Sequence, residues 1–344
     1  MKLLNLRPWI RVAIALLCVV LITASLRFAR SGSSPAPDYD CATSGSQVEI
    51  EIPRGATGSD VATILFSAGV VKSSTVYFRV AVANSKSKQV APGGHILTAP
   101  NCAQNVLIEL LDSKRLTGLI NVFEGAWNTE VIEAMVAADF DRTEVIAALK
   151  SVSLPSGFAS AEGLLFPAQY SFAKGSSAKS AIESMIARGL LEIEKNGLLK
   201  ASGKYSAAQL LIIASIIQAE GNTSDFSKIS RVIRNRLEKG IPLQMDSTVH
   251  YVKKSRGKVF LSTASTFLKS PYNTYRNYGL PPSPIGNPGS DALSAAVNPA
   301  NGDWLFFITI APGDTRFTSS LEEFNQWKVL YKKNLRAGLF RSDK

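Results

Sequence analysis

Histidine and cysteine are nearly missing from this chain of 344 residues, which has two of the first and three of the second. The histidines, His95 and His250, lie far apart, and no cysteines have the spacing of a metal site, so no metal ion or other cofactor is expected. Neither histidine accompanies a G-x-S-x-G motif, which argues against Ser-His-Asp and Cys-His hydrolases. No run of five basic residues occurs either, and the formal charge of +11 is partly local. Lys2, Arg7, Arg11, Arg27 and Arg30 fall before residue 31 with no acid among them, leaving 33 basic against 27 acidic residues in the rest. That dispersed excess suits an anionic surface or polymer and gives no footprint for nucleic acid. Hydrophobic residues make up 46% of the chain and charged ones 19%, so most of it can bury a core and is not disordered.

What is present begins with VAIALLCVVLITASL, residues Val12–Leu26, an uncharged stretch between Arg11 and Arg27. It is short for a membrane span, but Trp9, Ile10 and Phe28 extend it and the arginines can snorkel to the headgroups. A cleaved signal peptide is the competing reading, and no convincing Ala-x-Ala site follows. The expectation is a single-pass anchor in the cytoplasmic membrane, N-terminus cytoplasmic, with everything after the polar spacer SGSSPAPDYD outside. Export separates the chain from nucleic acid. It also permits a disulfide between Cys41 and Cys102, closing a loop of 61 residues worth about 4 kcal/mol; two unpaired thiols are the alternative.

Further along, QVEIEIP reads as a strand, a Gly55/Gly58 turn follows, and Ser59–Ala68 is periodic as a helix. Seventy residues later Ile120, Val122, Gly125, Ala126, Glu130 and Val131 repeat the pattern of Ile50, Ile52, Gly55, Ala56, Asp60 and Val61. Residues 128–150 and 176–196 read as amphipathic helices, with EGLLFPAQYSF (Glu162–Phe172) between them as a strand or loop. Ser206-x-x-Gln209 is a capping box opening AAQLLIIASIIQAE, which stops at Gly221-Asn222. Residues 270–299 look too rich in Pro, Gly, Asn and Tyr for regular structure. A strand at Trp304–Ile310 and a polar helix from Ser320 close the chain.

The helix ending at Glu220 is apolar on every side and is therefore expected to be buried. A carboxyl on its last turn meets the negative end of the helix dipole, and partial burial adds to that; both favour the protonated form, as a general acid requires. A solvated helix end is the plain alternative. Downstream, Gln244, Asp246, Thr248 and Tyr251 alternate at strand-like spacing, and Tyr272, Asn273, Thr274 and Tyr275 precede a stiff proline loop. Aromatics among Asn, Gln and Thr make a surface suited to sugars.

ASIIQAE (Ala214–Glu220), NRL (Asn235–Leu237), LQMDSTVHY (Leu243–Tyr251), SPYNTY (Ser270–Tyr275) and GLPPSPIGNPG (Gly279–Gly289) together resemble, in order, the endolytic murein transglycosylases, the YceG or MltG-like family. EGLLFP is similar to an upstream motif of that family, and residues 45–115 resemble its LysM-like subdomain. The resemblance implies an α+β protein: an anchor over 1–30, a linker over 31–44, a LysM-like module over 45–115, and a mixed α+β catalytic domain over 116–344. It implies a lyase that cuts MurNAc–GlcNAc bonds of peptidoglycan strands and leaves 1,6-anhydroMurNAc ends, with peptidoglycan synthases as plausible partners. Glu220 takes the position of the catalytic glutamate; Gln244, Asp246, Tyr272, Asn273 and Tyr275 take positions expected around the glycan. Asp246 is the rival for a second catalytic carboxylate, and Asn235 and Arg236 suit bracing of the helix. A muramidase that admits water, or a non-catalytic wall-binding protein, are the other readings. Departures from the family pattern include Ser247 in place of proline, expected to loosen that turn, and Arg316 and Phe324 where histidine is frequent.

Overall fold

A computed structural model describes residues 16–23, 25, 36–42, 44–200, 203–256 and 261–340. The chain is a mixed α+β protein that divides into two compact units, Met1–Thr117 and Gly118–Lys344. Most of the expected anchor lies outside the described residues. Among those described, no helix is long and apolar enough to cross a membrane.

In the first unit, β1 (Ser46–Ile52) runs antiparallel to β2 (Gly93–Ala99), pairing Ser46 with Ala99 and Ile52 with Gly93. Between them lie α1 (Gly58–Ser67) and α2 (Ser74–Ala83); α3 (Ala103–Leu111) and the two-residue β3 (Leu116–Thr117) follow. Alternation along β1 buries Ile50 and Ile52 against a core of Leu65, Tyr77, Leu97 and Leu107. Cys41 and Cys102 are joined by a disulfide.

The second unit opens with β4 (Leu119–Val122) and α4 (Asn128–Ala137), the counterpart of β1 and α1. Both copies turn through a left-handed glycine, Gly55 at φ 82° and Gly125 at φ 77°, where a side chain would be strained. In both, the acid three residues past the cap reaches back to a backbone N–H: Asp60 to Thr57 at 2.8 Å and Glu130 to Trp127 at 2.7 Å. The internal repeat is thus a repeated local solution to starting a helix after a strand. The helix expected over 128–150 is two, because Asp139 at φ 68° breaks it and Asp141 caps α5 (Arg142–Ser151).

Then come β5 (Ala168–Ser171), paired antiparallel with β4, and α6 (Ala178–Lys195). The apolar helix is α7 (Ala207–Glu220), with its Ser206/Gln209 capping box formed. Leu210, Leu211, Ile213, Ile216 and Ile217 on α7 are each about fully buried, worth about 2 kcal/mol apiece in apolar burial. Around α7 pack α8 (Phe226–Glu238), α9 (Asp246–Lys253) and, after the one-turn α10 (Thr263–Thr266), α11 (Ser290–Val297). The hairpin β6 (Phe306–Ala311) and β7 (Asp314–Thr318) and α12 (Leu321–Arg336), capped by Ser320, complete the unit.

Two further expectations are corrected. Residues 270–299 contain a regular helix, α11, since SDALSAAV buries Ala292, Leu293, Ala295 and Ala296. The segment LQMDSTVHY is not a strand: Gln244 sits at φ 54°, and Asp246 opens α9, which buries Thr248 and Val249. The neighbours on one face are therefore four apart, Ser247 and Tyr251, not two apart.

Candidate active site

Glu220 is the last residue of α7 and is half-buried. Its Oε1 accepts two hydrogen bonds from Ser247, one from the backbone N–H at 3.2 Å and one from Oγ at 2.6 Å. Burial pushes its carboxyl up to about 7; the two Ser247 bonds pull down, and the charge of Asp246 pushes up again. Glu220 therefore lies between the carbonyl end of α7 and the free N–H groups of the first turn of α9, two helix ends of opposite polarity. Desolvation outweighs the two hydrogen bonds and favours the protonated form. Ser247, expected to loosen its turn, instead ties α9 to the end of α7.

Of the residues singled out in the sequence, Asp246 and Tyr275 lie near enough to Glu220 to interact with its charge. Asp246, the first residue of α9, accepts a hydrogen bond from the Tyr275 hydroxyl. Gln244 is exposed, accepts from Arg236 Nη1 at 3.3 Å, and its backbone N–H donates to Thr274. Tyr272 is half-buried, shares a 2.6 Å hydrogen bond with Ser283, and meets the Tyr251 ring at 5.3 Å between centroids. Asn273 is placed differently. It is completely buried, donates to the carbonyls of Thr266 and Leu268, and accepts from the Tyr275 N–H, so it shapes the YNTY turn from inside and offers nothing to a sugar. Asn235 and Arg236 brace: Asn235 donates to the carbonyls of Gly302 and Trp304, and Arg236 to those of Leu305, Pro242 and Leu243. Where histidine was noted as frequent, Arg316 pairs with Asp314 and Phe324 stacks on Phe306.

One ionisable group was not singled out in the sequence. Glu162, of the EGLLFP motif, is only 4% exposed; its Oε1 accepts from the Asn128 N–H at 2.9 Å and its Oε2 from the Tyr251 hydroxyl at 2.9 Å. Burial pushes it, like Glu220, up to about 7. The available signal was an acid leading straight into an apolar run. Its partners, 34 and 89 residues away, are invisible to spacing.

A carboxyl with a higher pKa folded than unfolded binds a proton on folding. Its contribution to stability is full below the unfolded value of 4.5 and is lost as the pH rises to about 7. For Glu162 the loss is about 3 kcal/mol. Thermal melts should therefore fall by several degrees from pH 5 to pH 8, and Glu162→Gln should reduce that fall; an unchanged fall would contradict the assignment.

Comparison with known proteins supports the family resemblance. The model of the YceG-like family matches residues 50–329. The endolytic murein transglycosylase of Bacillus subtilis is 32% identical, over 84% of this chain and 86% of its own length. That of Streptococcus pneumoniae strain D39 is 26% identical, over 83% of this chain but only 58% of its own length. A solved structure of a YceG-like protein from Listeria monocytogenes superposes with a TM-score of 0.55 at 28% identity, covering 82% of this chain and 99% of that one. An α+β scaffold with a half-buried glutamate of raised pKa at the end of a buried apolar helix is the class defined by fold and site. The chain belongs to the YceG-like family.

Proposed function

We propose that this protein is an endolytic lytic transglycosylase that cuts peptidoglycan strands between MurNAc and GlcNAc and leaves 1,6-anhydroMurNAc ends. The observation that carries the reading is Glu220, a carboxyl poised near pH 7 at the end of α7. Protonated, it gives its proton to the glycosidic oxygen as that oxygen leaves the anomeric carbon. As a carboxylate, it then takes the proton of the MurNAc 6-hydroxyl while that oxygen bonds to the same carbon. The proton returns to Glu220 and no water is consumed. The nucleophile belongs to the substrate and is already tethered to it, so a second catalytic carboxylate is not needed. Asp246 is occupied by Tyr275 and serves to hold that ring; Gln244, Tyr272 and Tyr275 remain the candidates for contact with the glycan.

The finer parts of the reading rest on the sequence. Residues 1–30 anchor the protein in the cytoplasmic membrane with the N-terminus inside, residues 31–44 are a linker, residues 45–115 are a LysM-like module, and residues 116–344 cut. Anchoring places the cut on newly polymerised strands, limits their length, and suits partnership with peptidoglycan synthases. The strand–helix–helix–strand order of β1, α1, α2 and β2 supports the module assignment.

Digestion of uncrosslinked strands followed by mass spectrometry tests the activity. The expected products are short internal fragments ending in anhydroMurNAc. Release of single disaccharides from strand ends would contradict the endolytic mode.

A further inference from the structure

We infer that Ser247 is a positioning residue for Glu220: its N–H and Oγ converge on Oε1, so that Oε2 is the oxygen that exchanges the proton with the sugar. The inference deepens the reading of Glu220 as the acid and base, and rests on it.

Two donors from one residue meet a single oxygen of the carboxyl at 3.2 and 2.6 Å. Oε2 accepts no hydrogen bond among the described residues, and a carboxyl held on one oxygen by two donors cannot exchange its oxygens by rotation without breaking both. The backbone donor is available because Ser247 is the second residue of α9, whose first-turn N–H groups have no partner within the helix. The side-chain donor is placed by the same turn. Ser247 thus does through one residue what a pair of separate second partners would otherwise do.

The arrangement sets the protonation equilibrium as well as the orientation. Both donors favour the carboxylate. The groups facing Glu220 come from several elements. Asp246 lies beside it at the start of α9, Tyr275 approaches from the YNTY turn, and Tyr331 of α12 lies near Asp246. Arg236 of α8 lies near Tyr275, and Asp225 lies beyond Gly221 at the end of α7. Among these, only Ser247 makes a direct hydrogen bond to the Glu220 side chain. Removing its donors leaves burial and the charge of Asp246 unopposed, so the proton is held to higher pH.

The experiment compares pH profiles of kcat/KM on peptidoglycan strands for the full-length protein and its Ser247→Ala and Ser247→Thr variants. The alkaline limb, where activity falls as Glu220 loses its proton, should move up by about one pH unit in Ser247→Ala, because one hydrogen bond to a charged group is lost. The rate on the acidic plateau should drop about tenfold in Ser247→Ala, and Ser247→Thr, which keeps both donors, should restore the limb and the plateau. An unmoved limb in Ser247→Ala, or a Thr variant that behaves like Ala, overturns the inference. Glu220→Gln in the same assay separates the two failures: an active Gln variant overturns the reading of Glu220 itself, whereas an inactive one beside unmoved Ser247 profiles overturns the role of Ser247 alone.

Discussion

Glu220→Gln should lower the rate of strand cleavage at least about a thousand-fold, within the range a positioned general acid and base supplies. The substitution keeps the shape of the side chain. The amide oxygen can still accept from Ser247 N–H and Oγ, so the junction of α7 with α9 survives. Only the exchangeable proton is lost. Because Gln carries no charge to bury, the variant should melt slightly higher than the wild type at pH 8, where the native carboxyl is ionised. Loss of activity with a retained or raised melting temperature identifies chemistry rather than folding. A variant cutting within tenfold of the wild-type rate would contradict the role.

Asn287→Ala should destabilise the larger unit by about 4 kcal/mol, or roughly 10 °C in melting temperature. Asn287 is fully buried, and its side chain joins three segments distant in sequence. Its Oδ1 accepts from the N–H groups of Gly163 and Leu165, both at 2.9 Å. Its Nδ2 donates to Ala126 O at 2.8 Å and to Asn128 Oδ1 at 3.3 Å. Truncation leaves two buried backbone N–H groups without a partner, and each orphaned donor costs about 1–3 kcal/mol. The same residues bound the loop that carries Glu162. Asn277→Ala is the control: Asn277 is exposed, its Nδ2 bonds only to the carbonyls of Ser270 and Asn273, and the change should cost under about 1 kcal/mol. Similar melts for the two variants would contradict the bracing role.

These two residues mark the boundary of what the sequence makes legible. Glu220 stands out because α7 announces itself twice, through the Ser206/Gln209 box and through an apolar surface on every side that only a buried helix shows. A carboxyl at such an end has few options. Asn287 and Asn273 look like turn residues in sequence, since an asparagine that braces a core and one that faces water are the same letter. Their partners decide, and those of Asn287 include backbone groups 122 and 124 residues away. Glu162 is hidden for the same reason.

The helical start within LQMDSTVHY is hidden for a different reason. Alternation of Gln244, Asp246 and Thr248 mimics a strand, but the left-handed turn at Gln244 and the burial of Thr248 and Val249 on one helical face outweigh it. A short polar segment carries too few apolar residues for its period to discriminate between the two. The same mimicry hides Ser247, since a strand would turn it away from the face of Asp246, whereas a helix start presents it to Glu220. The fold class, the carrier helix and the order of the motifs were readable. The residues that tie the site together were not.

In the proposed mechanism the sugar's own 6-hydroxyl, and not water, completes the cut begun by Glu220. Digesting defined strands in oxygen-labelled water and weighing the new ends tests it most directly. The account predicts anhydroMurNAc ends that carry no label, formed by the wild type and not by Glu220→Gln; labelled reducing ends produced by the wild type would contradict it.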